Sequence, residues 1–566
     1  MNKHNKKSIG SRVFLFLLLL LPNLYALFAA SDLRSPSMAV AYMAVVVMGL
    51  VLPMLLLRAR AYFIVTGVLF LFCAPIEIAS LFLNSSPATS SFVGLIYATN
   101  WREAVGVLTA VAPLLAGVLT LWFVYFLLAA RQPNEWLIPR KAGLWAAGIG
   151  LPILLAGAMF YFGRYARDIY NLQAPREVIR QAGELAKLKF YKIYPYNIYL
   201  NTYRVAADRQ AARQAQEALA PFRFGIQADN DTASGLFVLV IGESARSENF
   251  GINGYERPTT PRLAQRTNLV SYPQMYSVAG VTEPSVSHII SRIPVTHHDA
   301  IYSEKTLPEA FQEAGYTVTW ITNKSRAFYL ERLLETVDKR YETGKDMSAV
   351  NNYDAYLLTP FEETVRSGTA KQLVVVHTMG SHWRYDTRYP KEFEQFTPSI
   401  GEDFQLSMIS PANRQLLLNA YDNTILYTDF LLDSLITIME NKHVPAVMLY
   451  LSDHGENLYD DERQLVLHGN YSSSRWLYHV PFLVWYSDEY AALHPEHVHC
   501  MKAHADSRDN SSVIFPSLLD AAGLTYIQNT AGNAYSLTRS IFSDSYAAPD
   551  TLFVLTSEKD CIVLDE

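Results

Sequence analysis

The stretch Val444-Pro445-Ala446-Val447-Met448-Leu449-Tyr450-Leu451, followed at once by Ser452-Asp453-His454-Gly455, decides how the chain folds. A strand that is apolar along its whole length is buried on both faces, as in a parallel sheet. A second such run, Gly235 to Ile241, leads directly into Gly242-Glu243-Ser244. Open α/β sheets gather their chemistry at the carboxyl ends of the strands. Asp453, His454 and Glu243, far apart in sequence, are therefore expected to meet in one crevice. Two carboxylates and an imidazole suit zinc or manganese.

The same texture continues on either side. Candidate strands are Leu236 to Ile241, Val318 to Thr322, Leu373 to Val376, Ala446 to Leu451, Phe482 to Tyr486 and Leu552 to Leu555. Helical patterns at Thr306 to Ala314, Asp354 to Val365 and Arg414 to Glu440 lie between them. This alternation predicts a mostly parallel sheet with helices on both faces, spanning residues 231–566. A domain of roughly 330 residues can bury a sizeable core.

The front of the chain is different. Val13 to Ala30, Met38 to Leu57, Tyr62 to Leu83, Val105 to Ala130 and Gly143 to Phe162 are each about long enough to cross a bilayer. Residues 1–163 are thus expected to form an all-α transmembrane bundle of five helices. Basic residues sit in alternate loops: Lys3, Lys6, Lys7 and Arg12, then Arg58 and Arg60, then Arg131, Arg140 and Lys141. The positive-inside rule places the N-terminus in the cytoplasm and everything after the fifth span outside. Small residues at Ala26 to Ala30 leave a cleaved signal peptide as the alternative for the first segment. Residues 164–230, with Tyr and Lys interleaved from Lys189 to Leu200, read as helices lying at the membrane surface between the two domains.

Composition narrows the class further. The 566 residues are 50% hydrophobic, with a net charge of −6, and no basic patch marks a nucleic-acid partner. Three cysteines do not make a disulfide scaffold, although Cys500 and Cys561 are a candidate pair in an oxidising compartment. His297-His298 and the series His494, His497, His499 and His504 follow no strand and have no fixed ligand spacing, so they read as surface loops.

Three more motifs accompany the first. Gly254-Tyr255-Glu256-Arg257-Pro258-Thr259-Thr260-Pro261 lies downstream of Glu243, and His377-Thr378-Met379-Gly380-Ser381-His382 follows a strand. Gly280-Val281-Thr282-Glu283-Pro284-Ser285 precedes a helical pattern at Val286, Ile289 and Ile290. A Thr at such a place is usually an N-cap. The same place also offers free N–H groups and a positive dipole end to a phosphate. A hydroxyl there, beside a divalent metal, can serve as a nucleophile at neutral pH.

Taken together, these motifs, with Arg388-Tyr389-Pro390 and His468-Gly469, resemble the phosphoethanolamine transferases of Gram-negative envelopes. Those are membrane-anchored members of the alkaline phosphatase superfamily. The resemblance covers nearly the whole chain, and it implies an alkaline-phosphatase-like α/β domain behind the helical bundle. It implies a zinc site, with room for a second ion, formed by Glu243, Thr282, Asp453 and His454, with Thr282 as nucleophile and Ser285 and Ser287 as outside candidates. It implies that His382 and His468 bind the phosphoryl group, the acceptor or a second zinc. Thr99 and Glu103 match a Thr-x-x-x-Glu element near the donor headgroup. Phosphatidylethanolamine would be the donor and lipopolysaccharide the acceptor, at the bacterial inner membrane with the catalytic domain in the periplasm. Such a modification lowers envelope charge and weakens attraction of cationic peptides.

The chain departs from the lipid A branch. Its segment Ala279 to Ser287 lacks that branch's cysteines, and Leu95 replaces a polar residue. It is more similar to the branch acting on core sugars. Lipid A phosphate as acceptor, and a phosphoglycerol transferase or sulfatase on the same fold, stay open as alternatives.

Overall fold

The structure is a computed structural model. It describes residues 3–29, 36–84, 112–145, 193–228, 234–301, 303–324, 334–343, 353–401, 408–468, 474–526, 539–555 and 561–564, with short pieces elsewhere. The chain divides into two compact units, Met1–Asp208 and Arg209–Glu566.

The first unit is helical: Lys3–Ala29, Pro36–Leu56, Ala59–Leu71, Ala74–Asn84 and Ala112–Ala130, with Tyr196–Leu219 beginning in it. Among the described residues, two stretches are long and apolar enough to cross a membrane, Gly10–Phe28 and Ala59–Leu81, and shorter apolar helices lie at Val45–Leu56 and Ala116–Ala130. Helices thus lie within the first four expected spans, the third in two pieces, with residues 105–111 of the fourth outside the described residues. Half of the fifth, Gly143 to Phe162, falls outside the described residues, and so do Thr99 and Glu103. The loops that carry basic residues meet at one end of this unit. Arg12 Nε donates to Gln132 Oε1 at 3.3 Å, Arg60 Nε to the Gln132 carbonyl at 3.0 Å, and Ala59 N to the Glu135 carbonyl at 2.8 Å.

The second unit is built on a seven-stranded sheet. Its strands, numbered in chain order, are β1 (Gly235–Gly242), β2 (Leu269–Ser271), β3 (Thr317–Thr322), β4 (Lys339–Glu342), β5 (Lys371–His377), β6 (Ala446–Ser452) and β7 (Phe482–Tyr486). Across the sheet they run β2-β7-β6-β1-β5-β3-β4. The run from β6 to β4 is parallel, while β7 is antiparallel to both β6 and β2. The apolar runs explain the three-layer build. On β1, Phe237, Leu239 and Ile241 enter one core, and Leu236, Val238 and Val240 enter the other. Helices Thr282–Ile289, Leu307–Glu313 and Ile514–Ala521 contribute to the first core, and Leu358–Ser367 and Arg414–Glu440 to the second.

Several expectations are corrected. Leu552 to Leu555 gives no strand of the main sheet: Phe553–Leu555 pairs with Cys561–Val563, and Leu555 bridges Ala279. Two short strands, Leu269–Ser271 and Lys339–Glu342, extend the sheet at its edges, where a few residues and one covered face leave no long apolar run. Cys500 and Cys561 are both free: one lies on the helix Pro495–Ala503, the other on an edge hairpin. The late histidines are not in loops. His497 and His499 sit on that helix, with His494 and His504 as its end residues. His494 and His497 stack at 5.0 Å, and His497 Nδ1 meets the Tyr490 hydroxyl at 2.8 Å. His297 and His298 lie in the 3₁₀ segment Val295–Ala300.

Candidate active site at the carboxyl ends of the strands

Register brings the site together. Ile241 of β1 is paired with His377 of β5 and with Leu451 of β6, and Gly242 with Ser452. The chain leaves all three strands at one level, so Glu243, the 378–382 loop and Asp453-His454 emerge side by side. Backbone bonds continue the sheet past its end: Thr378 N donates to Ile241 O at 3.0 Å, Asp453 N to Gly242 O at 3.1 Å and Ser381 N to Glu243 O at 2.9 Å. Gly380 makes this close approach with φ +48°. A Cβ there would stand 2.7 Å from the Glu243 carbonyl oxygen.

Thr282 opens the helix Thr282–Ile289 as its first helical residue, and the N-cap is Val281. Its hydroxyl is therefore not used as a cap and faces the strand ends. Thr282 Oγ1 lies 3.3 Å from Glu243 Oε2 and 3.3 Å from His454 Nε2. His454 Nε2 is 3.4 Å from Glu243 Oε1 and 3.7 Å from Asp453 Oδ2. The second ring nitrogen, His454 Nδ1, meets the Gly455 carbonyl at 2.7 Å and so carries the proton. Nε2 then presents a lone pair to the cluster, the tautomer a metal ligand requires. Asp453 Oδ1 accepts from Ser244 N and His454 N at 3.1 and 2.7 Å, which fixes the carboxylate. Its other oxygen, Oδ2, is buried and has no hydrogen-bond partner.

These atoms fit a metal. Ligands at 2.0–2.1 Å in a tetrahedron stand about 3.3 Å from one another. The observed separations of 3.3 to 3.7 Å match that edge. Four ligand groups converge, and although Glu243 also accepts from Lys324 Nζ and Ser244 Oγ, the orphaned Asp453 oxygen is the group a cation would satisfy. Glu243, His454 and His468 also form a metal-capable group, with one ligand atom of each within 4.8 Å of the others.

His468 and His382 flank the cluster. The His468 ring lies 4.3 Å from that of His454 and 5.5 Å from that of His382. His468 Nδ1 faces the buried Glu456 carboxylate at 3.2 Å, leaving Nε2 for the site. Burial pushes the His382 imidazole well below its usual range, and Lys324 and His468 add to this. Ser285 and Ser287 use their hydroxyls elsewhere. Ser285 donates to the Asp453 carbonyl, and Ser287 to the Glu283 carbonyl at 2.8 Å.

Lys324 was not expected from the sequence. Its ammonium, 5% exposed, forms an ion pair with Glu243 Oε2. The available signal was its place just past the carboxyl end of β3, the same rule that points to Glu243 and Asp453. The Gly254–Pro261 motif serves differently. Tyr255 and Arg257 both bond Asp422 of the long helix Arg414–Glu440, at 2.9 and 2.8 Å, and so brace the loop after β1.

Phosphoethanolamine transferase EptA of Escherichia coli (strain K12) is 31% identical over 310 residues, covering 52% of this chain and 54% of that protein. Phosphoethanolamine transferase EptC of the same strain is 29% identical over 322 residues, covering 55% and 53%. The chain thus spans about half the length of the curated relatives it matches. The crystal structure of the C-terminal periplasmic domain of EcEptC from Escherichia coli, in complex with Zn, superposes with a TM-score of 0.53 at 26% identity. It covers 60% of this chain and 95% of that one. The sulfatase family model matches residues 236–524. The match extends over just more than half of the chain, which therefore belongs to the sulfatase family.

Proposed function

We propose that the protein is a metal-dependent phosphoethanolamine transferase. It takes the group from phosphatidylethanolamine onto Thr282 and passes it to lipopolysaccharide, at a core sugar. The observation that carries this is the Thr282 hydroxyl held at tetrahedral spacing from Glu243 and His454, beside the unsatisfied Asp453 oxygen. The transferred group is the one for which EptA and EptC, the relatives described above, are named.

Glu243, Asp453, His454 and Thr282 would hold zinc, with manganese also suited to the donor set; His468 and His382 could take part in a second site. A bound divalent ion supplies charge that lowers the pKa of a neighbouring hydroxyl and offsets charge on phosphoryl oxygens. The chain's own residues do the rest. Glu243 Oε2 and His454 Nε2 orient the Thr282 hydroxyl, and Glu243 can accept its proton as the oxygen attacks phosphorus. The positive end of the helix Thr282–Ile289 and the Lys324 ammonium would offset the developing charge. The bond to diacylglycerol breaks, and that oxygen leaves as an alcohol carrying the proton that Glu243 took from Thr282. In the second half the acceptor oxygen attacks the same phosphorus and Thr282 is released. His382 and His468 would bind the phosphoryl group or the acceptor, whose proton passes by way of Glu243 to the departing Thr282 oxygen.

In this reading the helical unit spans the inner membrane five times, with the N-terminus cytoplasmic and the catalytic domain periplasmic. Donor and acceptor are then both membrane lipids, and Thr99 and Glu103 would face the donor headgroup. The gathering of Arg12, Arg60 and the 131–136 loop at one end of the unit supports that orientation.

Incubation with phosphatidylethanolamine should add phosphoethanolamine to the peptide bearing Thr282, read by mass spectrometry. An adduct on Ser285 or Ser287 would overturn the assignment. Mass spectrometry of lipid A and core from cells with and without the protein identifies the acceptor, and a change confined to lipid A would move it from core sugar to lipid A phosphate.

A further inference from the structure

We propose that Asp354 is the positioning residue that sets Lys324 and His382 on either side of Glu243, a role that rests on the functional reading above. Asp354 starts the 3₁₀ segment Asp354–Leu357 and is 5% exposed. Its carboxylate takes three donors from two loops. Oδ1 accepts from Asn323 Nδ2 at 2.9 Å and from Met379 N at 2.8 Å, while Oδ2 accepts from Gly380 N at 2.7 Å. Asn323 directly precedes Lys324, whose ammonium pairs with Glu243. Met379 and Gly380 lead into Ser381, bonded to the Glu243 backbone, and into His382.

The two successive N–H groups at Met379 and Gly380, with Gly380 in the left-handed region, form an anion-binding concavity. Asp354 fills it from within the chain. A carboxylate buried only for stability would be expected to tie core elements together. These three bonds go instead to the two strand-end loops that carry the cationic and imidazole side chains of the site. Loosening either loop by about 1 Å at a reaction centre costs about 100-fold in rate.

The test uses the full-length, zinc-loaded protein with Asp354→Ala. The expected result is a kcat for transfer from phosphatidylethanolamine lowered about 100-fold with zinc content unchanged. Hydrogen exchange should speed up together in the peptides covering 320–324 and 377–382. Formate, which can re-enter the vacated concavity, should restore at least about a tenth of the lost rate and slow both peptides, while chloride does neither. A wild-type kcat, or unchanged exchange in either peptide, overturns the proposal. So does loss of zinc that formate does not repair. Should Asp354→Ala fail to accumulate, Asp354→Asn carries the test, because it keeps a carbonyl for Asn323 and Met379 but meets Gly380 N–H with an amide. Faster exchange at 377–382 and about tenfold lower kcat are then expected, and wild-type values of both overturn the proposal. If the wild-type protein shows no transfer from this lipid, the functional reading fails, and exchange alone still decides the role of Asp354.

Discussion

At the scale of single residues, Asp453 offers the sharpest test of the metal site. Its Oδ1 is committed to the N–H groups of Ser244 and His454, while Oδ2 faces the cluster without a partner. In Asp453→Asn the remaining carbonyl must stay on those two donors, so the amide NH₂ is forced into the cluster, where it opposes a cation. Zinc affinity should fall by more than about 100-fold, since even outer-shell partners are worth 10–100-fold. Full zinc occupancy of the variant at stoichiometric metal would sink the assignment. Thr282→Ala should lower transfer below about one thousandth of wild type with zinc affinity reduced less than in Asp453→Asn, because only a neutral ligand is lost. Thr282→Ser, measured in the same assay, should keep part of the rate. Glu243, Asp453 and His454 were legible in the sequence because each directly follows an apolar run. Lys324 was legible by the same rule but stands alone, without the acid-imidazole pairing that draws attention to Asp453-His454. Asp354 was not legible, since its role comes from three hydrogen bonds to residues 25 to 31 positions away, and no local pattern records them.

At the scale of elements, the site depends on how tightly the loop after β5 lies on the chain leaving β1. Gly380→Ala would place a Cβ 2.7 Å from the Glu243 carbonyl and 2.9 Å from its amide nitrogen, both backbone atoms that cannot swing aside. The left-handed conformation adds about 1–2 kcal/mol for any residue with a Cβ. A loss of about 2–4 kcal/mol in unfolding free energy is expected, within the range for backbone strain plus overpacking, with weakened zinc binding because Glu243 must move. A denaturation midpoint equal to that of the wild type would show that the loop is looser than this. Long, uniformly apolar strands such as β1, β5 and β6 were readable because both their faces are buried, so no alternation interrupts them. The edge strands Leu269–Ser271 and Lys339–Glu342 were not, since they are short and Lys339 and Arg340 face solvent. The antiparallel direction of β7 was also hidden: an apolar run reads the same in either direction, and only the path of the connection decides it.

At the scale of the whole molecule, the chain divides its labour between an apolar helical unit and a unit carrying the strand-end cluster. Overall similarity does not favour either relative, as EptA and EptC match at 31% and 29% over comparable lengths. On the proposed function, acceptor choice would belong to surfaces around the cluster. The orientation of the helical unit is more accessible to physical reasoning. A charged loop crosses a bilayer only at high cost, and Lys and Arg near the ends of spans are retained on the cytoplasmic side. In this chain Arg12, the 57–60 turn and the 131–136 loop are joined to one another by hydrogen bonds, so these basic segments must share a side. If that side is cytoplasmic, one further span carries the chain out before the sheet begins. An alkaline phosphatase reporter fused after Arg164, active only when exported, should therefore be active, and a reporter that fluoresces only in the cytoplasm should be dark at the same position. Fusions after Arg60 should give the reverse pair. Cytoplasmic signal after Arg164 would place the strand-end cluster on the wrong side of the membrane for lipopolysaccharide, and the proposed acceptor would have to be abandoned with it.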